Sequence, residues 1–245
     1  MANRLVIDRL SAGYGAVSVL RGVSLEVARG ELVALLGTNG NGKSTLLNAI
    51  MGLTPPAAGS VRLEWDGEVI ELAGLRAEQI VGHGVALVPE GRRLFPHLTV
   101  EENLVLGGSG RRVRRNLGAN LEFVFSTFPL LKQRRSQRAG TMSGGQQQVL
   151  AIARALMTEP RIMLIDEPSV GLAPVAVDHV LSTIKMLQAD RKLAVLMAEQ
   201  SIVQAIAIAD RSYLLTHGRI AREVDREHAA ASAEAIRTTL LGGVG

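Results

Sequence analysis

Apolar residues recur along the chain in two alternating rhythms. Short Leu- and Val-rich runs, such as Leu193-Ala-Val-Leu-Met-Ala198, are the length of strands. Longer stretches between them repeat apolar positions every three or four residues, the spacing of helices. Strands alternating with helices predict an α/β fold with a largely parallel sheet. The opening third departs from this rhythm. Runs at 4–10, 23–30 and 31–37 come close together, and residues 60–72 read as two strands around Asp66-Gly67, a hairpin turn pair. An antiparallel β portion is therefore expected beside the first parallel strands.

From Thr99 the pattern turns helical, and Thr99-Val-Glu-Glu102 reads as a capping box opening a helix toward Leu106. A helix is expected from Ser143, a strand at 161–165, and a helix with Pro174 in its first turn. A strand at 193–198, a helix from Ser201, a final strand near Tyr213 and a C-terminal helix complete the predicted order. With no internal repeat or low-complexity linker, residues 1–245 are read as a single domain, with a helical insertion at approximately 99–155.

Composition narrows the chemistry. The 245 residues include no cysteine, which excludes disulfides, zinc-thiolate sites and cysteine nucleophiles. The 27 Lys and Arg against 23 Asp and Glu leave a net charge of +4, too mild a surplus to imply nucleic acid. Aromatic residues, at 3%, are too few for a base-stacking surface. No apolar run approaches the ~20 residues of a membrane span. Charges at Arg4, Asp8 and Arg9 leave no room for the apolar region of a signal peptide. His83, His97, His179, His217 and His228 are scattered without ligand spacing and receive no metal role.

Three motifs carry the candidate chemistry. Gly37-Thr38-Asn39-Gly40-Asn41-Gly42-Lys43-Ser44 follows a strand-like run and leads into a helical one that begins at Lys43. Its spacing matches a loop whose backbone N–H groups cradle phosphates, with Lys43 adding a charge and the Ser44 hydroxyl available to Mg²⁺. An accidental glycine-rich turn would lack both flanking elements. Ile162-Met-Leu-Ile-Asp166-Glu167-Pro168 places two carboxylates at the C-terminal edge of a buried strand, where open α/β sheets bind ligands. Alone it reads as a strand ending in a polar loop; beside a phosphate loop, Asp166 becomes a Mg²⁺ ligand and Glu167 the group that polarises an attacking water. Thr141-Met-Ser143-Gly144-Gly145-Gln146 is at minimum a capped helix start, with glycines that admit a ligand.

The order of phosphate loop, helical insertion, Ser-Gly-Gly-Gln and acidic strand end resembles the ATP-binding-cassette (ABC) family over nearly the whole chain. The resemblance implies a P-loop NTPase fold with a RecA-like core, an antiparallel β portion and a helical insertion. It assigns Tyr14 to stacking on adenine, Gly37 through Thr45 to ATP, and Ser143, Gly144, Gly145 and Gln146 to the ATP of a partner subunit. Ser169-Val-Gly-Leu172-Ala173 is similar to the family's loop after the acidic strand. Three positions depart from the general pattern: Glu90 stands where a glutamine is usual, Ala173 replaces an aspartate, and Gln200 replaces the switch histidine. Gln can hydrogen-bond a γ-phosphate or a water but cannot carry a proton. These variations, with Glu167 retained and a terminal Leu-Leu-Gly-Gly, are together similar to one ATPase subunit of branched-chain amino-acid uptake transporters.

By resemblance the chain is an ATPase using ATP and Mg²⁺, with Lys43, Glu167 and Gln200 catalytic and Ser44, Asp166 and Glu90 about the metal. Two units pair head to tail, as a homodimer or with a sister ATPase, on membrane permeases served by a solute-binding protein. They would sit peripherally on the cytoplasmic face of the inner membrane, and nucleic acid is not expected as a partner. Amides, urea or other amino acids are alternative solutes. The segment 92–98 is the candidate permease contact. The eight basic residues between 111 and 138 read as a solvated face or as an attraction to anionic headgroups. A soluble relative in DNA repair or translation would carry a coiled-coil insertion or two cassettes. A regulatory subunit that does not hydrolyse ATP would not need Glu167.

Overall fold

The computed structural model describes residues 3–225. The chain opens with β1 (Arg4–Tyr14), β2 (Val17–Ala28) and β3 (Leu32–Leu36), then α1 (Lys43–Ile50). β4 (Pro56–Trp65) and β5 (Glu68–Glu71) follow, joined at Asp66 and Gly67, whose φ values of 52° and 85° are those of the expected tight hairpin turn. Next come α2 (Ala77–Gly82), β6 (Val85–Val88), α3 (Val100–Gly107), α4 (Leu117–Thr127), α5 (Pro129–Gln133) and α6 (Gly144–Leu156). β7 (Ile162–Asp166), α7 (Pro174–Arg191), β8 (Ala194–Glu199), α8 (Ile202–Ile208), β9 (Arg211–Thr216) and β10 (Arg219–Asp225) complete the described chain.

Two sheets form. One is antiparallel in the order β2-β1-β4-β5, and the other runs β10-β9-β3-β8-β7-β6 with all neighbours parallel except β10. β3, β7 and β8 are buried along their whole length, because both faces of the parallel sheet are covered. Alternation sends Leu32, Ala34 and Leu36 of β3 into a core shared with the helices α3, α4, α6 and α7. Val33 and Leu35 face the other way, into a core shared with α1 and the antiparallel sheet. The predicted antiparallel portion is thus the lid of the second core.

The capping box at Thr99 forms as expected: Glu102 N–H donates to Thr99 Oγ1 at 3.2 Å, and Thr99 N–H to Glu102 Oε2 at 2.7 Å. One expectation needs correction. Tyr213 lies in β9, but β9 is not the last strand. His217 and Gly218, at φ 48° and 74°, turn the chain into β10, which pairs antiparallel with it. A His-Gly turn lacks the Asn or Asp that usually announces such a hairpin. The segment before Val88 also holds α2 and β6, which the motif reading passed over. The C-terminal helix and the terminal Leu-Leu-Gly-Gly lie outside the described residues. Among the described residues no helix is long and apolar enough to cross a membrane.

Candidate functional site

Parallel strands carry their C-terminal ends to one edge, and register decides which residues meet there. Leu36 pairs with Glu199, Asp166 with Ala198, and Val88 with Ile165. The loop from Gly37, the acids at 166–167, Glu90 and the end of β8 are therefore neighbours at a position where doubly wound sheets bind ligands.

The loop after β3 closes into α1 through Gly42, the residue capping that helix, at φ 101°. A side chain there would be strained and would press on Leu20 and Val19. Asn41 braces the loop, donating to Thr38 Oγ1 at 2.8 Å and accepting from His217 N–H at 3.0 Å. A cleft of about 360 Å³ opens above it, lined by Val19, Asn39, Gly40, Gly42, Lys43, Ser44, Thr45, Glu90 and Glu167. A larger cavity of about 620 Å³ lies elsewhere, beside Arg111, Arg112 and Val113, but none of these phosphate-loop residues lines it.

Lys43 is buried, and its Nζ donates to Gly37 O at 2.8 Å and Thr38 O at 3.3 Å. It also meets Glu167 Oε1 at 3.0 Å. Glu167 is buried in turn and holds a left-handed backbone, φ 45°, a strained conformation for a non-glycine residue. Its N–H donates to Ala198 O at 2.9 Å, which ties the strained turn to β8.

Asp166 is also buried, and burial pushes its carboxyl up to about 6, helped by the negative charges of Glu167 and Glu90. A hydrogen bond with Ser44 and the charge of Lys43 act in the opposite direction. Its Oδ1 is one of three buried side-chain atoms without a hydrogen-bond partner among the described residues. An orphaned carboxylate oxygen beside a serine hydroxyl is a hard-oxygen donor set of the kind Mg²⁺ takes through one or two protein ligands. Among the described residues no group of three or more His, Asp or Glu is arranged around a common metal position.

Tyr14, Gln200 and residues 143–146 do not line this cleft. Tyr14 is 54% exposed, and hydrogen bonding to the side chains of Thr45 and Thr54 lowers its hydroxyl's pKa below the usual tyrosine value. Gln200 is exposed and its side chain does not line the cleft. Ser143 caps α6 with a capping box, accepting from Gln146 N–H at 3.4 Å while its own N–H donates to Gln146 Oε1 at 3.2 Å. Ser143 is exposed, and neither it nor Gly144, Gly145 or Gln146 lines the cleft of its own chain.

Three features were missed by the sequence reading. Val19 forms one wall of the cleft, with no motif to mark it. The loop after Glu90 is latched to α6: Arg154 donates to Arg93 O at 2.8 Å and Arg92 O at 3.1 Å, and Arg92 donates to Gln147 Oε1 at 3.3 Å. Glu199 is fully buried at the end of β8 and accepts three backbone N–H groups. In the basic segment Arg111, Arg112, Arg114, Arg115 and Arg135 are all exposed; Arg112 donates to Thr158 O and Glu159 O, and Arg135 pairs with Glu101 at 2.8 Å. Phe95, half exposed at the centre of 92–98, lies on a groove with Met51, Leu106 and Arg154.

Residues 20–170 match the family described as ABC transporter. The high-affinity branched-chain amino acid transport ATP-binding protein BraG of Pseudomonas aeruginosa is 45% identical over 239 residues, covering 98% of this chain and 100% of that one. The fold is similar to a nucleotide-free ATP-binding cassette from an ABC transporter, with a TM-score of 0.82, 26% identity and 96% of each chain covered. It is also similar to the dimeric post-hydrolysis cassette MJ0796 bound to ADP and Pi, with a TM-score of 0.75, 26% identity and 91% and 98% of the two chains covered.

Proposed function

The chain belongs to the ABC transporter ATP-binding family, and from that premise we propose that it is the ATP-hydrolysing subunit of an importer for branched-chain amino acids. The observation that carries the activity is the cleft itself, in which Lys43 and Glu167 face each other beside the phosphate loop. The solute reading is supported by the likeness to BraG over the full length of both chains.

The chemistry follows from the residues. The backbone N–H groups of residues 39–45, at the N-terminus of α1, donate to the phosphate oxygens of ATP, and Lys43 turns its charge to the β/γ-phosphates. Tyr14 stacks on the adenine. Glu167, released from Lys43 when phosphate arrives, accepts hydrogen bonding from the attacking water and draws its proton. Gln200 orients that water or the γ-phosphate through its amide. Ser44 and Asp166, with Glu90 close by, would hold Mg²⁺, which would supply charge neutralisation to the phosphates. Hydrolysis of this kind needs positioning and electrostatic stabilisation more than covalent chemistry.

The whole chain then acts as one unit with a helical insertion at about 99–155. Two units, this chain with a second copy or a sister ATPase, close on ATP. Each γ-phosphate is contacted by one phosphate loop and by Ser143, Gly144, Gly145 and Gln146 of the other unit. ATP binds the closed pair better than the open one, so binding and hydrolysis drive closing and opening. The segment 92–98 carries that motion to permeases at the cytoplasmic face of the membrane.

Uptake of radiolabelled leucine in cells carrying the wild-type gene, a deletion, or the Glu167→Gln variant tests the reading. Loss of uptake in both altered strains is expected. Unchanged leucine uptake in the deletion, with loss of another solute, overturns the solute assignment. Purified protein that hydrolyses no ATP with Mg²⁺ and its partner subunits overturns the activity.

A further inference from the structure

Glu199 has no part in any phosphate-binding motif, yet it is among the most completely enclosed acids of the described chain, at 0% exposure. Its Oε1 accepts Ser169 N–H at 3.1 Å. Its Oε2 accepts Gln200 N–H at 2.9 Å and Ser201 N–H at 3.2 Å. The three donors come from two loops separated by some thirty residues of chain: the one that follows Glu167 and the one that holds Gln200.

The placement concerns the two residues assigned above to the reaction. Glu167 N–H already donates to Ala198 O, so the turn carrying Glu167 is tied on both sides to consecutive residues of β8, at Ala198 before it and Glu199 after it. The same carboxylate holds the backbone of Gln200. Glu167 keeps its left-handed φ of 45° within this frame. Strained backbone at a functional site persists only where its surroundings over-determine it.

Granting the ATP-hydrolysing reading of the cleft, we propose that Glu199 is a positioning residue that locks the loop of Glu167 and the loop of Gln200 into one rigid body. The carboxylate suits the task because both oxygens only accept. An amide in its place would turn an NH₂ group toward backbone N–H donors and lose at least one bond. Serine or threonine is too short and offers a single oxygen. By this arrangement the two groups approach the γ-phosphate at a fixed separation, and a misplacement of even about 1 Å costs on the order of a hundredfold in rate.

The test uses full-length protein with its partner subunits. Glu199→Gln is expected to lower kcat for ATP hydrolysis at least about tenfold, while KM for ATP and fluorescent-nucleotide affinity stay within about threefold, since Glu199 does not line the cleft. In the double variant with Gln200→Ala, turnover is expected to match the slower single variant, because both act through one arrangement. Fully multiplicative losses, or a Glu199→Gln kcat equal to wild type, overturn the proposal. A second measurement needs no variant. Hydrogen exchange of wild-type Ser169, Gln200 and Ser201 amides is expected to be slow, and exchange as fast as in open loops overturns the proposal. A wild-type assembly without ATP turnover overturns the ATPase reading first and this role with it. Turnover in wild type unaffected by Glu199→Gln overturns this role alone.

Discussion

Lys43 and Glu167 form a buried ion pair, 3.0 Å from Nζ to Oε1, with side chains only 3% and 7% exposed. The remaining Nζ protons go to Gly37 O and Thr38 O. All three donors of the ammonium are therefore engaged before any nucleotide arrives. Under the proposed mechanism a phosphate competes with Glu167 for Lys43 and frees that carboxylate for the attacking water.

Glu167→Gln is accordingly expected to reduce turnover by a hundredfold or more while nucleotide affinity holds or rises. The amide keeps the size of the side chain but removes the charge that holds Lys43. Removing a general base typically costs about 10²–10⁴ in rate. Fluorescent-nucleotide titration beside steady-state hydrolysis checks both halves, and a weakened affinity would contradict the competition.

Lys43→Ala is expected to lose ATP binding and also to destabilise the nucleotide-free protein. It leaves Glu167 buried without its partner, a defect worth about 3–5 kcal/mol in comparable pairs. Adding Glu167→Gln to Lys43→Ala is expected to restore most of that stability without restoring ATP binding. Thermal unfolding of the two single variants and the double variant measures the coupling, and additive losses would refute it.

Asp166 provides the pH dependence. Its carboxyl is raised from an ordinary value of 3.8 to about 6 by burial, so the folded state holds a proton that the unfolded chain has already released. Its contribution to stability is complete below about pH 4 and is lost as the pH rises through about 6. In metal-free protein, Asp166→Asn is thus expected to stabilise by ~1–3 kcal/mol at pH 8, with the gain shrinking toward pH 4. Unfolding curves in EDTA at several pH values check this, and a gain that grows on acidification would show the sign to be wrong. The same variant is expected to abolish Mg²⁺-dependent hydrolysis.

Gln200→Ala is expected to slow turnover tenfold to a hundredfold with ATP affinity nearly intact, since one positioning hydrogen bond to a charged group is worth ~1.5–3 kcal/mol. Gln200→His is expected to retain partial activity with a new pH dependence between about 5 and 8. Hydrolysis measured across that range decides, and an alanine variant with unchanged turnover removes Gln200 from the reaction.

The readable part of this protein was written in short-range rules. A glycine-spaced loop between strand and helix, a capping box at Thr99, a Ser-Gly-Gly-Gln helix start and an apolar strand ending in Asp166-Glu167 each occupy a few consecutive residues. Backbone geometry and hydrogen bonding dictate such segments locally, so the sequence alone determined the alternating α/β order, the antiparallel portion and most of the lining of the cleft. Even there, β10 escaped, because His217-Gly218 makes its turn without the usual residue types.

Tertiary structure decided what depends on residues far apart in the chain. Lys43 and Glu167, 124 positions apart in the chain, are brought together only by the register of β3, β8 and β7. That register also leaves Asp166 Oδ1 without a partner and encloses Glu199 between two loops. Nothing in the run Met197-Ala-Glu-Gln-Ser201 distinguishes a buried acceptor of three N–H groups from a solvated acid. The difference is burial itself: a carboxylate in water needs no partner, and one at the end of a covered strand must find its donors in whatever the fold brings alongside.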